Sequence, residues 1–153
     1  MILKRRKILK FLSYSLLFFC SPIKTIYAAT KKIINQNLTN QQKDIMFNQG
    51  TERAFTSSLL NEKRKGTYIC VVCKDVLFNS DTKYDSNSGW PSFFDSIADK
   101  VTRKKDFSHG MIRTEINCKS CNSHLGHVFN DGPLPTGERY CVNSLSMEFN
   151  SDE

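Results

Sequence analysis

Downstream of residue 66 the apolar positions come in short β-rich runs set off by turn formers. The runs are 67–72, 76–78, 111–116, 127–129, 139–142 and 144–149, each rich in branched or aromatic residues. Turns are expected at Asn79-Ser80-Asp81, Ser86-Asn87-Ser88-Gly89, Asn130-Asp131-Gly132-Pro133 and Pro135-Thr136-Gly137. Ahead of them Ile45, Met46, Phe47, Phe55, Leu59 and Leu60 recur at near-helical spacing with a break at Gly50, which predicts one or two short helices. Residues 30–41 are rich in Lys, Asn and Gln and poor in apolar side chains, so they are expected to be a mobile linker, with order beginning near Gln42. The reading is a mainly β, largely antiparallel domain over 42–151 with small helices at its front.

The first 29 residues have a different texture. A cationic start (Lys4, Arg5, Arg6, Lys7, Lys10) leads into an apolar stretch from Phe11 to Cys20 and then to small residues Ala28 and Ala29. This is the layout of an export signal, with cleavage expected after Ala28 or Ala29. Lys4-Arg5-Arg6-Lys7-Ile8-Leu9-Lys10 also resembles a twin-arginine signal. The expected location is therefore periplasmic, or membrane-associated on the outer side if the leader stays as an anchor. Phe19 is too large for the position before a lipid-bearing Cys20.

Charge supports that division. The leader holds six of the 22 basic residues and no acid, leaving 16 bases against 15 acids, so the formal charge of +7 falls to +1 without it. A nucleic-acid-binding domain keeps its basic footprint on the folded body, and this body has none to spare. Neither nucleic acid nor a membrane is an expected partner of the domain, and a monomer is expected.

Cys70-Val71-Val72-Cys73 and Cys118-Lys119-Ser120-Cys121 are two C-x-x-C pairs with 44 residues between them. Each pair can present two thiolates from one tight turn, and four thiolates close a tetrahedral zinc site that has no open position, hence a structural one. Two disulfides would also use up the four thiols in an oxidising compartment. Two like pairs suit one metal better than two unrelated bridges, so one structural Zn²⁺ is expected.

Cys141 has no such partner. It lies in Arg139-Tyr140-Cys141-Val142-Asn143, a strand-like run whose alternation places Arg139, Cys141 and Asn143 on one face. A guanidinium and an amide beside a thiol favour the thiolate, whereas a lone cysteine is more often a buried, inert one. His124 and His127, two of the three histidines, follow the second cysteine pair and are candidates for a general acid, or for packing and metal ligation.

These residues stand within a longer series: Gly50-Thr51-Glu52-Arg53, Ser88-Gly89-Trp90-Pro91-Ser92-Phe93, Ser108-His109-Gly110-Met111, His124-Leu125-Gly126-His127-Val128-Phe129, Asp131-Gly132-Pro133 and Thr136-Gly137-Glu138-Arg139-Tyr140-Cys141-Val142-Asn143-Ser144, with both cysteine pairs. In order and spacing the series resembles the methionine sulfoxide reductase B family. That resemblance implies two small antiparallel sheets with short N-terminal helices, and an enzyme that reduces methionine R-sulfoxide, free or in proteins, through a cysteine sulfenic acid. It implies Cys141 as nucleophile, His127 as acid with His124 beside it, and Arg139 and Asn143 orienting thiol and sulfoxide. Asp131 would fix a histidine or a water, and Trp90 would receive the terminal methyl.

The chemistry accounts for those residue types. An ordinary thiol is already a few per cent thiolate at neutral pH, so activating it fully contributes about tenfold to a hundredfold. The sulfoxide oxygen must finally leave as water, and a positioned acid contributes ~10² to 10⁴. One departure from the family pattern stands out: Ser88 occupies a position where many members carry a resolving cysteine. With Cys20 in the leader and four cysteines assigned to zinc, reduction is expected to come from a thioredoxin-like or other external thiol. A zinc-ribbon binding module and a C-x-x-C disulfide oxidoreductase are the competing classes, and Cys141 in its setting argues for the reductase over both.

Overall fold

The computed structural model describes residues 35–153. The leader at 1–29, with its export and twin-arginine readings, lies outside the described residues. Among those described, helix α1 (Asn40–Asn48) precedes nine strands: β1 (Gly66–Cys70), β2 (Val76–Asn79), β3 (Lys83–Tyr84), β4 (Ser92–Phe93), β5 (Val101–Asp106), β6 (Arg113–Cys118), β7 (His124–Phe129), β8 (Arg139–Val142) and β9 (Met147–Ser151). All pairings are antiparallel, in a sheet ordered β2-β1-β9 and a larger one ordered β3-β4-β8-β7-β6-β5.

Alternation along the strands builds the core between the sheets. Tyr68 and Phe78 from the small sheet meet Phe93 and Tyr140 from the large one. Phe78 stacks on Phe93 at 4.4 Å, and Tyr68 meets the same ring edge-on at 4.9 Å. Val142, Ile116 and Val128 complete that face and are buried with them. The opposite face of the large sheet carries polar and chemically active side chains. Register aligns Tyr84 on β3 with Ser92 on β4, Cys141 on β8, His127 on β7 and Glu115 on β6 in one row. A single turn of strand alternation thus separates core from site.

One residue before His127 on β7, Gly126 pairs with Val142 in the adjoining row. A Cβ there would stand 2.1 Å from the Cys141 carbonyl oxygen, so any other residue would push β7 off the strand that carries the thiol.

Two expectations shift in detail. The apolar spacing over 44–60 yields α1 alone, begun by a capping box in which Thr39 and Gln42 bond each other's backbone N–H at 3.0 and 3.1 Å. Beyond Gln49 the chain turns instead of coiling: Phe55 takes a left-handed φ of 64° and donates its N–H to Gly89 at 2.8 Å. The stretch read as linker is held down from Asn35, whose backbone N–H and side-chain amide bond the carbonyls of Val72 and Val71, and Leu38 is buried. Residues 30–34 of it fall outside the described residues. The run 101–106 carried no strand reading, yet β5 is as long as β6. It is an edge strand whose central residues, Thr102 to Lys105, face solvent, where charge blunts edge-to-edge pairing.

Candidate functional site

The four pair cysteines converge. Their sulfurs all lie within 4.8 Å of one another and all four residues are buried. Each pair is made by the same turn: Lys74 and Asn122, just past the second cysteine, both adopt left-handed φ (62° and 56°). Each of those residues donates its N–H to the first cysteine's carbonyl at 2.8 Å, and Cys70 and Cys118 donate to Asp75 and Ser123. Asp75 then ties the two turns to each other through Lys100 at 2.8 Å and through the Ser120 hydroxyl.

The Sγ atoms of Cys70 and Cys121 are 3.7 Å apart, and those of Cys73 and Cys118 are 3.5 Å apart. A tetrahedral site with metal–sulfur bonds of about 2.3 Å has edges of about 3.8 Å, whereas a disulfide needs about 2.05 Å. The spacing fits a shared metal and no bridge between these pairs. Burial pushes the Cys73 thiol up to about 12, so a central cation would be what lets four thiolates stand together in this apolar setting.

Cys141 sits apart, half-buried on β8, on the wall of a pocket formed with Thr51, Trp90, Arg113, His127, Phe129 and Asn143. Burial raises its thiol above the ordinary range, while the Ser88 hydroxyl, 3.9 Å away, and the Arg139 guanidinium pull it back down. Arg139 is locked above the ring of Phe129 at 4.5 Å and forked onto Asp131 at 2.8 and 2.9 Å. Asp131, expected to fix a histidine or a water, is paired here with Arg139 and has no hydrogen bond to a histidine.

The carboxylate on the histidine is Asp106, at the tip of β5. It stands 2.8 Å from His127 Nε2 and 2.7 Å from Arg113, and accepts the Ser108 N–H at 2.8 Å. The Ser108 N–H first, and then the Ser108 hydroxyl and His127, hold the Asp106 carboxyl well below the usual carboxylate range. With Nε2 taken, Nδ1 of His127 is the ring nitrogen left for a bound group. His124 lies behind it, ring centroids 5.5 Å apart, fully enclosed and tied through Nδ1 to Glu115 at 2.8 Å. Burial pushes the His124 imidazole down, and the ring does not line the Cys141 pocket.

Trp90 forms another wall and is pinned from below by Glu52. The Glu52 carbonyl takes the indole N–H at 3.1 Å, and its backbone N–H donates to Asn143 at 3.0 Å. Its buried carboxylate accepts from Ser144 through Oγ at 2.8 Å and N–H at 2.5 Å. Asn143, which also donates to the Leu125 carbonyl at 3.2 Å, is thereby fixed between β7 and the Glu52 backbone.

With this geometry, a model of the SelR domain matches residues 38–151. The chain belongs to the SelR-domain family. Among SelR relatives it is 57% identical over 118 residues to a peptide methionine sulfoxide reductase MsrB of Leptospira interrogans, covering 76% of this chain and 90% of that protein. It is also 53% identical over 121 residues to MsrB of Escherichia coli K12, covering 78% of this chain and 88% of that one. The whole described fold and both cysteine sets lie inside the SelR match, and this SelR chain is an enzyme of the oxidoreductase class its relatives represent.

The structure brings Cys141, His127, Asn143 and Trp90 to one pocket, with Arg139 beside the thiol, and sets His124 and Asp131 one layer back. Sequence reasoning missed Asp106, Arg113 and Glu52 as site residues. Asp106 and Arg113 pair across the β5–β6 hairpin; the hydrophilic β5 gave no pattern from which to place them opposite His127. Glu52 was within reach as the one acid in Gly50-Thr51-Glu52-Arg53.

Proposed function

We propose that this protein reduces methionine R-sulfoxide, free or in proteins, by way of a sulfenic acid on Cys141, and so repairs oxidised methionine. The observation that carries the reading is the pairing of Cys141 with His127 in direct register across β8 and β7, inside a pocket walled by the only tryptophan in the chain. Membership of the SelR family supports methionine sulfoxide as substrate and a thiol as reductant.

In this reading the methyl end rests on Trp90, since sulfur groups contact aromatic rings favourably. The Cys141 thiolate attacks the sulfoxide sulfur while His127, oriented by Asp106, places a proton on the oxygen. As this adduct collapses, the new sulfur–sulfur bond and the methionine sulfur–oxygen bond both break, the hydroxyl passes to the Cys141 sulfur as the sulfenic acid, and the methionine sulfur departs as a thioether, two electrons richer. Two external thiols then return Cys141 to the thiol, leaving a disulfide between them and releasing the oxygen as water. An external reductant is required because the other cysteines among the described residues all belong to the metal cluster, and Ser88 is the neighbour of Cys141.

Zinc is the metal proposed for Cys70, Cys73, Cys118 and Cys121, whose four-sulfur donor set suits it best. It would supply no chemistry at the pocket, only the fold. Export rests on the pattern of the 1–29 leader and places the repair outside the cytoplasm.

The test is an assay of the purified protein with separated R and S epimers of a methionine sulfoxide peptide and dithiothreitol. Turnover of the R epimer alone supports the proposal. Turnover of the S epimer, or of neither, contradicts it.

A further inference from the structure

Behind Cys141, on the side away from His127, three serine hydroxyls form an unbroken line. Ser88 Oγ is 3.9 Å from the Cys141 sulfur and 2.8 Å from Ser86 Oγ, which is 2.7 Å from Ser92 Oγ, which is 3.2 Å from the Trp90 carbonyl. Ser92 is fully buried and pairs with Cys141 across β4 and β8. The Ser88 N–H lies 3.4 Å from Ser86 Oγ and donates to it in every state. The sulfoxide reaction proposed above does not use this line.

Each hydroxyl has one proton to donate and two lone pairs to accept with, so the line admits two complete arrangements. In the first, the Cys141 thiol donates to Ser88, Ser88 to Ser86, Ser86 to Ser92, and Ser92 to the Trp90 carbonyl. In the second, every hydroxyl rotates: Ser92 donates to Ser86, Ser86 to Ser88, and Ser88 to the sulfur. No proton crosses between residues in going from one to the other. Only a carbonyl at the far end loses its partner.

We propose that Ser86, Ser88 and Ser92 are positioning residues forming a reversible hydroxyl chain that accepts a hydrogen bond from Cys141 as a thiol and returns one to it as a thiolate. The chain lets a largely buried sulfur change charge without a bulk-water partner, and polarisation along successive hydrogen bonds strengthens the last of them. The other groups facing the sulfur are Arg139 on its own strand with Asp131 behind it, His127 from β7, Tyr84 from β3, and Arg113 across the pocket. None of them is hydrogen-bonded to the Ser86 hydroxyl, so a change there acts on the sulfur through the chain.

The inference rests on Cys141 being the reactive thiol, and its test needs no turnover. In the full-length, metal-loaded protein, the rate of Cys141 alkylation by iodoacetamide is followed against pH by peptide mass spectrometry. Ser86→Ala should move the midpoint up by roughly 0.3 to 0.6 unit, which is a two- to fourfold lower rate below it. Ser86→Thr, which keeps the hydroxyl, should stay with the wild type, and Ser88→Ala, which removes the direct bond, should move further than Ser86→Ala. Should Ser86→Ala lose its metal, Ser92→Ala carries the same expectation from the far end. A Ser86→Ala profile superimposed on the wild type, or a Ser86→Thr profile displaced as far as Ser86→Ala, overturns the chain. Because alkylation is read apart from sulfoxide reduction, that result with catalysis intact rejects the chain alone.

Discussion

The five cysteines among the described residues divide four to one, and the two groups differ in backbone before they differ in chemistry. The four in the cluster sit at matched left-handed turns, enclosed, each sulfur near another sulfur. Cys141 sits mid-strand, with a hydroxyl, a guanidinium and an imidazole strand-partner around it, on the face turned away from the core. A turn that crowds thiols together selects a metal, whereas a strand that spaces side chains out leaves one thiol to meet substrate. On the proposed reading, the same side chain is given a structural or a reactive role by the local φ/ψ pattern.

That division implies very unequal consequences of removing a thiol. Cys118→Ser should have the largest effect. Structural zinc sites contribute on the order of 10 kcal/mol or more, comparable to the whole stability of a domain, so the variant should lack metal by elemental analysis and show no cooperative thermal transition. Cys141→Ser should retain metal content and melting temperature while losing more than ~10³-fold in sulfoxide reduction. A variant that lost both metal and activity would erase the distinction between the groups.

Within the pocket the effects should grade downward. His127→Asn, removing the acid, should lower kcat by ~10² to 10⁴ with the thiol still open to alkylation. Asp106 stands 2.8 Å from that histidine. Its carboxyl is held low in the folded protein, so its contribution is fully present above the ordinary aspartate pKa of about 3.9 and is lost only as pH falls through the depressed value. Stability against acid should therefore persist further down in the wild type than in Asp106→Asn, as read by circular dichroism along an acid titration. Trp90→Phe keeps a ring but loses the bond to Glu52, and should raise KM about fivefold with kcat within about threefold.

How much was legible followed from how local each signal is. The two metal turns announce themselves within four residues each, and the order of motifs placed Cys141 and His127. Period-two alternation found β8 to the residue. It failed on β5, because an edge strand with solvent on both sides of its middle carries no apolar alternation. Asp106 was lost with it: the contact to His127 spans 21 residues and exists only through the β5–β6–β7 register. The second front helix failed for a different reason, since a left-handed Phe55 is dictated by its bond to Gly89 rather than by its own sequence. The partner that Asp131 holds, Arg139, lies eight residues on and was not read from the sequence as its partner.

The central claim, one reactive thiol beside four structural ones, is tested most directly by a single turnover. Metal-loaded protein is mixed with one equivalent of methionine R-sulfoxide peptide and no reductant, trapped with dimedone, and mapped by mass spectrometry with the metal measured in parallel. The account requires a sulfenic adduct on Cys141 alone, four unmodified cluster cysteines and full metal retention. Cys141 found in a disulfide with Cys70, Cys73, Cys118 or Cys121, with metal released, would contradict it.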